Sequence, residues 1–322
     1  MGRIIGIISV VLTLSVLASC TDKGAMRERL DYVSQCNRAD TVFIEEWLPT
    51  VDSLVRYFDR HGNANERMMA HYLKGRVHHD MGEAPIALEC YQRATEMADT
   101  TRKDCDFRTL ASIYGQMADL FHLQYLPDDE MSAIKMAESL DWKNNDTLAA
   151  IMAHQLRTRP YYLRNEQDSV LSVTKRSIEL FKLYGRKDIA DQTLMILISV
   201  YFDKKQYDKA WRVLNDYENS QAFINGDNKY GKGHYNYYKG YSLLQQGRSD
   251  SAIVFLGKAI DRRLYEAGYK GLLSAYEKKI YPIPSPNMLG FMQTLMIPPI
   301  SMSTKKGCTK SVPYTITTVN DN

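Results

Sequence analysis

Residues 74–94 read KGRVHHDMGEAPIALECYQRA, and residues 239–259 repeat their small-residue pattern as KGYSLLQQGRSDSAIVFLGKA. Both copies place Gly and Ala at the same offsets: Gly75, Gly82, Ala87 and Ala94 in the first, and Gly240, Gly247, Ala252 and Ala259 in the second. Antiparallel helices pack closely where small residues lie at their crossing, and a Gly allows the chain to turn between them. The pattern therefore predicts repeated helix pairs.

The offset between the two copies suggests a period. It is 165 residues (240 − 75), or five units of 33, close to the length of known two-helix repeats. Apolar residues recur at helical spacing from Met26 to about Tyr281, without the alternation of a strand. We therefore expect an all-α, right-handed solenoid of about six helix pairs over residues 26–281, stacked because a single pair cannot bury its apolar stripe alone.

The same spacing predicts individual helices and packing positions. The expected pairs are 26–36 with 43–60, 64–80 with 84–98, 106–124 with 128–140, 146–158 with 167–184, 188–203 with 207–219 and 233–246 with 249–262, followed by an unpaired helix at 264–279. A polar loop is expected over residues 220–232. The predicted packing residues between the helices are Gly75, Ala87, Ala94, Ala118, Ala210, Gly240, Ala252 and Ala259.

The N-terminus is typical of an exported protein. Arg3 precedes an apolar run of thirteen residues, Ile4–Val16, which is too short to span a bilayer comfortably. The run ends in Leu17-Ala18-Ser19-Cys20, which resembles the lipobox of bacterial lipoproteins. The resemblance implies a signal peptide over residues 1–20, fatty acyl chains such as palmitate on Cys20, and a tether over residues 21–25. The alternative is a plain signal peptide that contains a Cys.

The C-terminal residues differ in composition from the rest of the chain. Residues 282–322 hold six of the ten prolines and a single acidic residue, Asp321. They predict neither a helix nor a solvated linker, so an irregular tail is expected. Two interpretations stay open: an out-of-frame read-through that truncates a longer protein near Lys279, and a natural disordered tail.

The small-residue pattern resembles the tetratricopeptide repeat (TPR). The stretch Asp80–Pro127 is in addition similar to TPR lipoproteins of gut anaerobic Gram-negative bacteria, several of which resemble the sensory half of TPR-containing regulators. This resemblance implies a groove lined by the first helix of each pair. The groove residues it indicates are Tyr72, Arg76, His79, Met195, Phe202, Tyr237 and Tyr241. Such an aromatic and Met-rich lining suits a peptide or a partner helix, although packing between neighbouring helices would also explain the aromatics.

Several chemistries are disfavoured. The formal charge of +3 gives no argument for nucleic acid, and no motif predicts an enzyme, a cofactor or a small-molecule substrate. His71, His78, His79 and Asp80 lack a second cluster that would complete a metal site, so ordinary polar positions are expected. Four cysteines remain after Cys20 with their disulfide state open: Cys36, Cys90, Cys105 and Cys308.

The expected function is a non-catalytic protein- or peptide-binding scaffold, or a truncated sensor module. It would face the periplasm and be held by its N-terminal lipid, with inner or outer membrane undecided. One alternative is an assembly factor for outer-membrane proteins. The other is a glycan-binding nutrient-uptake lipoprotein, disfavoured because the chain has only Trp47, Trp142 and Trp211 to stack on a sugar.

Overall fold

The computed structural model describes residues 24–39, 41–224, 229–261 and 265–279. The predicted signal peptide with Cys20, and the predicted tail with Cys308, lie outside the described residues. Within these ranges every regular element is a helix, so the all-α prediction is confirmed. Among the described residues, no helix combines the length and the hydropathy of a membrane-spanning segment.

The described helices follow one another with short connections. They are α1 (24–38), α2 (Leu48–His61), α3 (Ala64–Asp80), α4 (Ala84–Met97), α5 (Phe107–Leu123), α6 (Pro127–Lys143), α7 (Thr147–Leu156), α8 (Thr158–Leu163), α9 (Gln167–Leu183), α10 (Lys187–Asp203), α11 (Tyr207–Glu218), α12 (Gln221–Ile224), α13 (Lys229–Gln245), α14 (Ser249–Asp261) and α15 (Tyr265–Lys279). A 3-10 turn, Glu45–Trp47, precedes α2.

The chain divides into two compact units between Leu163 and Arg164. In the first unit, residues of α1 and α2 share one core, α3 packs on α4, α5 packs on α6, and α7 packs on α6. In the second unit, α9 packs on α10, α10 on α11, α13 on α14, and α14 on α15. Five of the six predicted pairs each lie within one unit, and the predicted pair 146–158 with 167–184 is divided between the two.

The predicted 33-residue period is wrong. The first helices of successive pairs begin at residues 24, 64, 107, 147, 187 and 229, which are 40 to 43 residues apart. Four such steps, and not five, fill the 165 residues between the two Gly/Ala copies. The repeat unit is longer than 33 residues because its helices are long: α3, α5, α10 and α13 each have 17 residues.

Three local expectations also need correction. Gly24 and Ala25, expected in a tether, already belong to α1. The second helix begins at Leu48 and not at Phe43, because Pro49 fits only the first turn of a helix. The expected loop 220–232 contains α12 and the start of α13, and the Ser220 hydroxyl caps α12 by accepting the Phe223 N–H at 3.2 Å. Residues 225–228 lie outside the described part.

The eight predicted packing residues are all buried. Their small size allows the helices to approach: a Cβ built on Gly240 would lie 2.7 Å from Cγ of Leu256 on the neighbouring helix α14. Gly82 and Gly247 have positive φ angles of 77° and 74° in the turns of their pairs. Tyr125, Asn145, Asn165 and Lys205 adopt the same conformation in other turns, so the turn recurs where the residue is not Gly.

Candidate functional site

In the first unit, three predicted groove residues follow one face of α3, but they differ in exposure. Tyr72 is only 6% exposed; its hydroxyl accepts a hydrogen bond from Asn37 Nδ2 at 3.4 Å, and its ring centroid lies 6.0 Å from that of Tyr91. Asn37 and Tyr91 belong to α1 and α4, so Tyr72 fills the space between three helices. Tyr72 therefore packs between neighbouring helices and offers little surface to a ligand.

Arg76 links three neighbouring helices. Its Nε donates to Asn37 Oδ1 at 3.0 Å on α1, and one terminal nitrogen donates to Gln116 Oε1 at 2.6 Å on α5. The other terminal nitrogen donates to Asp80 Oδ1 at 3.1 Å, and Asp80 Oδ2 accepts the Phe43 N–H at 2.9 Å. Each nitrogen of the guanidinium thus donates to a side chain of the protein, and these hydrogen bonds hold α1, α3 and α5 side by side.

His79 lies in the same polar face. Its Nδ1 is 3.1 Å from the Tyr91 hydroxyl. Burial, and secondarily the positive charge of Arg76, lower the pKa of His79 below its usual value. The imidazole is therefore neutral at pH 7 and serves as a hydrogen-bond partner of Tyr91.

The histidines of α3 do not come together as a metal site. His71 bonds to Asp59 at 2.9 Å, His78 bonds to Glu83 at 2.6 Å, and His79 bonds to Tyr91. No group of three His, Cys, Asp or Glu side chains suited to a metal ion occurs in the described ranges. Cys36, Cys90 and Cys105 are free thiols there.

A buried ion-pair network near the end of the first unit was not predicted. Glu130 is fully buried, with Arg159 Nε 2.8 Å from one carboxylate oxygen and His122 Nδ1 3.1 Å from the other. Arg159 also binds Asp119 at 2.7 Å. Sequence spacing gives no signal for these contacts, because Arg159 lies in the short helix α8, where a loop was expected.

In the second unit, aromatic side chains of α10, α11 and α13 form a continuous surface. The Phe202 ring centroid lies 4.8 Å from that of Tyr238, 5.6 Å from Tyr207 and 5.7 Å from Tyr241, and Tyr237 lies 6.1 Å from Tyr241. All five rings are half-buried. We call Phe202, Tyr207, Tyr237, Tyr238 and Tyr241 the aromatic surface.

The aromatic surface unites three of the predicted groove residues, Phe202, Tyr237 and Tyr241. Met195 is half-buried and packs against the core around Ile198, as Phe202 and Tyr238 also do. Burial raises the pKa of Tyr237 and of Tyr241, so both hydroxyls remain protonated at pH 7 and able to donate hydrogen bonds.

Tyr207 and Tyr238 were missed by the sequence analysis. Tyr207 begins α11, the second helix of its pair, whereas the prediction used only first helices. Tyr238 directly follows Tyr237 on α13, and its ring centroid lies 4.8 Å from that of Phe202.

No protein-family model matches the sequence, and no curated protein is similar to it. Solved structures do match. The apo form of the quorum sensor NprR from B. thuringiensis has a TM-score of 0.55 and 14% identity, covering 83% of this chain and 73% of that one.

Two further structures are similar. BtubC (BKLC) from P. vanneervenii has a TM-score of 0.54 and 12% identity, covering 81% of this chain and 95% of its own. Aspartyl phosphate phosphatase F from Bacillus subtilis has a TM-score of 0.51 and 12% identity, covering 73% and 68%. At these identities the likeness establishes the fold alone, and matches to TPR-like repeat proteins agree with the helix-pair architecture.

Proposed function

We propose that this chain is a non-catalytic protein- or peptide-binding module that faces the periplasm and is tethered to a membrane by lipid on Cys20. The observation that carries the proposal is the aromatic surface of the second unit. Half-buried rings that contact one another provide large apolar area with little side-chain freedom left to lose on binding. Their hydroxyls add polar contacts at the edges.

The aromatic surface is preorganised by contacts within the unit. Tyr207 lies 6.1 Å from Tyr241, which in turn lies against Phe202 and Tyr237, so the rings support one another from α10, α11 and α13. Aromatic side chains in such settings dominate the energetics of protein interfaces. A peptide in extended form, or one face of a partner helix, would lay its apolar side chains on these rings.

The face of α3 that carries Tyr72, Arg76 and His79 is less suited to this role. Tyr72 is buried, and the Arg76 guanidinium already donates to three side chains of the protein. Binding a ligand there would require breaking these hydrogen bonds. We therefore assign ligand binding to the second unit and a structural role to Tyr72 and Arg76.

The tryptophans favour a protein ligand over a glycan. Trp47 packs against the core of the first unit, and Trp211 lies 4.4 Å beneath the Lys239 ammonium. Trp142 is the most exposed of the three at 42%, and no second Trp ring stacks beside it among the described residues. A sugar site built from stacked Trp side chains is therefore not favoured.

The proposed lipid anchor is supported by the lipobox-like Leu17-Ala18-Ser19-Cys20 and by the apolar run before it. Two or more acyl chains anchor a protein stably, since each buried methylene contributes about 0.8 kcal/mol. NprR, one of the similar structures, is a quorum sensor, and a sensor role for this chain would use the same architecture of helix pairs.

Peptide arrays test the proposal. The purified full chain, in detergent, is applied to random dodecapeptides with amidated C-termini, and a Phe202→Ala/Tyr241→Ala variant is compared with it. Loss of most peptide signal in this variant, with unchanged helical circular dichroism, is expected. The control is Tyr184→Ala, an exposed ring in the α9–α10 turn of the same unit. Equal binding by all three proteins, or none by the wild type, would refute the proposal.

A further inference from the structure

The second unit contains a pocket of about 620 Å³ between α11 and the C-terminal end of α13. This volume lies in the range of ligand pockets in proteins. Three cations, Lys205, Lys209 and Arg212, contribute to its lining, against a single acid, Asp208. The pocket therefore has a net positive charge of two at pH 7.

These cations are available to a ligand. Neither Lys205 nor Arg212 is paired with a carboxylate among the residues that the structure describes, and both are exposed. Lys209 Nζ contacts a neutral group, Gln206 Oε1, at 3.1 Å. Two nearby cations differ, since Lys204 binds Asp168 at 2.7 Å and Lys239 binds Glu218 at 2.6 Å. The carboxylate of Asp208 can balance one of the three positive charges of the pocket lining, which leaves a net charge of two.

Neutral polar groups complete the lining. Gln206, Gln245 and Gln246 each offer an amide donor and an acceptor. Ser242, 2% exposed, also lines the pocket, and its hydroxyl has no hydrogen-bond partner within the described structure. Thr174, a comparable buried hydroxyl in α9, instead donates to the Val170 carbonyl at 2.7 Å. A buried hydroxyl without a partner is costly unless a ligand or water satisfies it.

The pocket adjoins the aromatic surface through one residue. Tyr207 lines the pocket and also contacts Phe202 and Tyr241. We propose that the pocket binds acidic side chains of a peptide whose apolar side chains lie on the aromatic surface. This inference rests on the proposed function and specifies the chemistry of its ligand.

The lining favours a peptide over a small free anion. Glutamine amides match the paired donor and acceptor of a peptide backbone, and a chain leaving the pocket past Tyr207 would meet the aromatic rings directly. Lysine and arginine groups at its rim would bind Asp or Glu side chains by charge-assisted hydrogen bonds. Trp211 also lines the pocket, and the Lys239 ammonium lies 4.4 Å from the centroid of its ring.

The test reverses the charge of the pocket. Arrayed dodecapeptides with amidated C-termini are probed with the full chain and with a Lys209→Glu/Arg212→Glu variant. The wild type should enrich Asp and Glu, and the variant should lose about tenfold or more in affinity for the acidic peptides. The control is Lys175→Glu/Lys182→Glu, which makes the same charge change at exposed positions of α9.

The outcomes separate this inference from the proposed function. Peptide binding without acidic preference, or equal losses in the pocket variant and the control, would overturn the acidic pocket and leave peptide binding intact. Absence of any peptide binding would overturn both. A thermal shift with inorganic phosphate alone, abolished by the pocket variant while peptides show no acidic preference, would replace the peptide with a small anion.

Discussion

The backbone of Gly75 lies directly against the ring of Tyr91. A Cβ built at Gly75 would lie 2.5 Å from Cδ1 and from Cε1 of this ring, closer than any real contact allows. Tyr91 is fully buried on α4, so its ring cannot move aside without displacing neighbouring side chains. This approach sets how closely α3 and α4 pack.

Gly75→Ala should therefore destabilise the protein by about 1–3 kcal/mol through overpacking. Urea unfolding followed by circular dichroism measures the change. Gly115→Ala is the control, because nothing lies within 4 Å of its Cβ position in α5. There the better helix propensity of Ala should stabilise by about 0.5–1 kcal/mol. The same sign for both variants would contradict the close approach.

Replacing Arg159 and replacing Glu130, the two partners of the buried ion pair, should lower the free energy of unfolding by different amounts. Arg159→Met leaves the carboxylate of Glu130 buried with only His122 beside it, and should cost about 3–5 kcal/mol. Glu130→Met should cost less, since Arg159 is partly exposed and keeps Asp119 at 2.7 Å. Unfolding midpoints of the two single variants and the double variant give the comparison. A larger cost for Glu130→Met would show that Arg159 does not compensate Glu130.

Asp141 should make the free energy of unfolding decrease as the pH rises. Burial, together with the charges of Asp146 and Glu138, raises the pKa of Asp141 to about 6, compared with about 3.9 in an unfolded chain. The folded state then holds the proton more tightly, so this contribution to stability is present below pH about 4 and lost as the pH rises through 6.

Asp141→Asn should abolish the loss of stability that accompanies ionisation of Asp141 at high pH. The variant should match the wild type near pH 4 and be more stable than the wild type at pH 7.5, as read from urea midpoints at both pH values. Asp216→Asn, an exposed position on α11, controls for general charge effects. A difference between Asp141→Asn and the wild type that does not vary with pH would remove Asp141 as the cause.

Lipid attachment is tested at Cys20. Cells that produce the chain are fed an alkyne analogue of palmitate, and the label on the purified protein is measured after fractionation. The wild type should carry label and sediment with membranes, whereas Cys20→Ala should carry none and be found in the soluble fraction. Cys36→Ala should behave as the wild type. Membrane association of an unlabelled Cys20→Ala chain would require a different anchor.

The sequence predicted the helix pairs well because small residues and apolar stripes recur locally, as at Gly75 and Ala87. The period was wrong, since two marks such as Gly75 and Gly240 constrain only their total separation and not the number of turns between them. Tyr72 illustrates a second limit: its position on α3 was predicted, but Asn37 and Tyr91 cover it from helices whose placement depends on packing.

The candidate site was predicted in part for a similar reason. Phe202, Tyr237 and Tyr241 occupy first helices, where the repeat pattern indicates a groove. Tyr207 and the pocket cations belong to α11 and to the turn before it, and their approach to α13 follows from the three-dimensional arrangement.

Site-specific photo-cross-linking in living cells tests whether the aromatic surface binds a protein partner. Benzoylphenylalanine replaces Tyr241 on the aromatic surface or, as the control, Tyr184 in the α9–α10 turn. We expect discrete protein adducts at position 241 that weaken when Phe202→Ala is added, and none at position 184. Absence of adducts at position 241 in a folded, abundant protein, or equal adducts at both positions, would contradict this expectation.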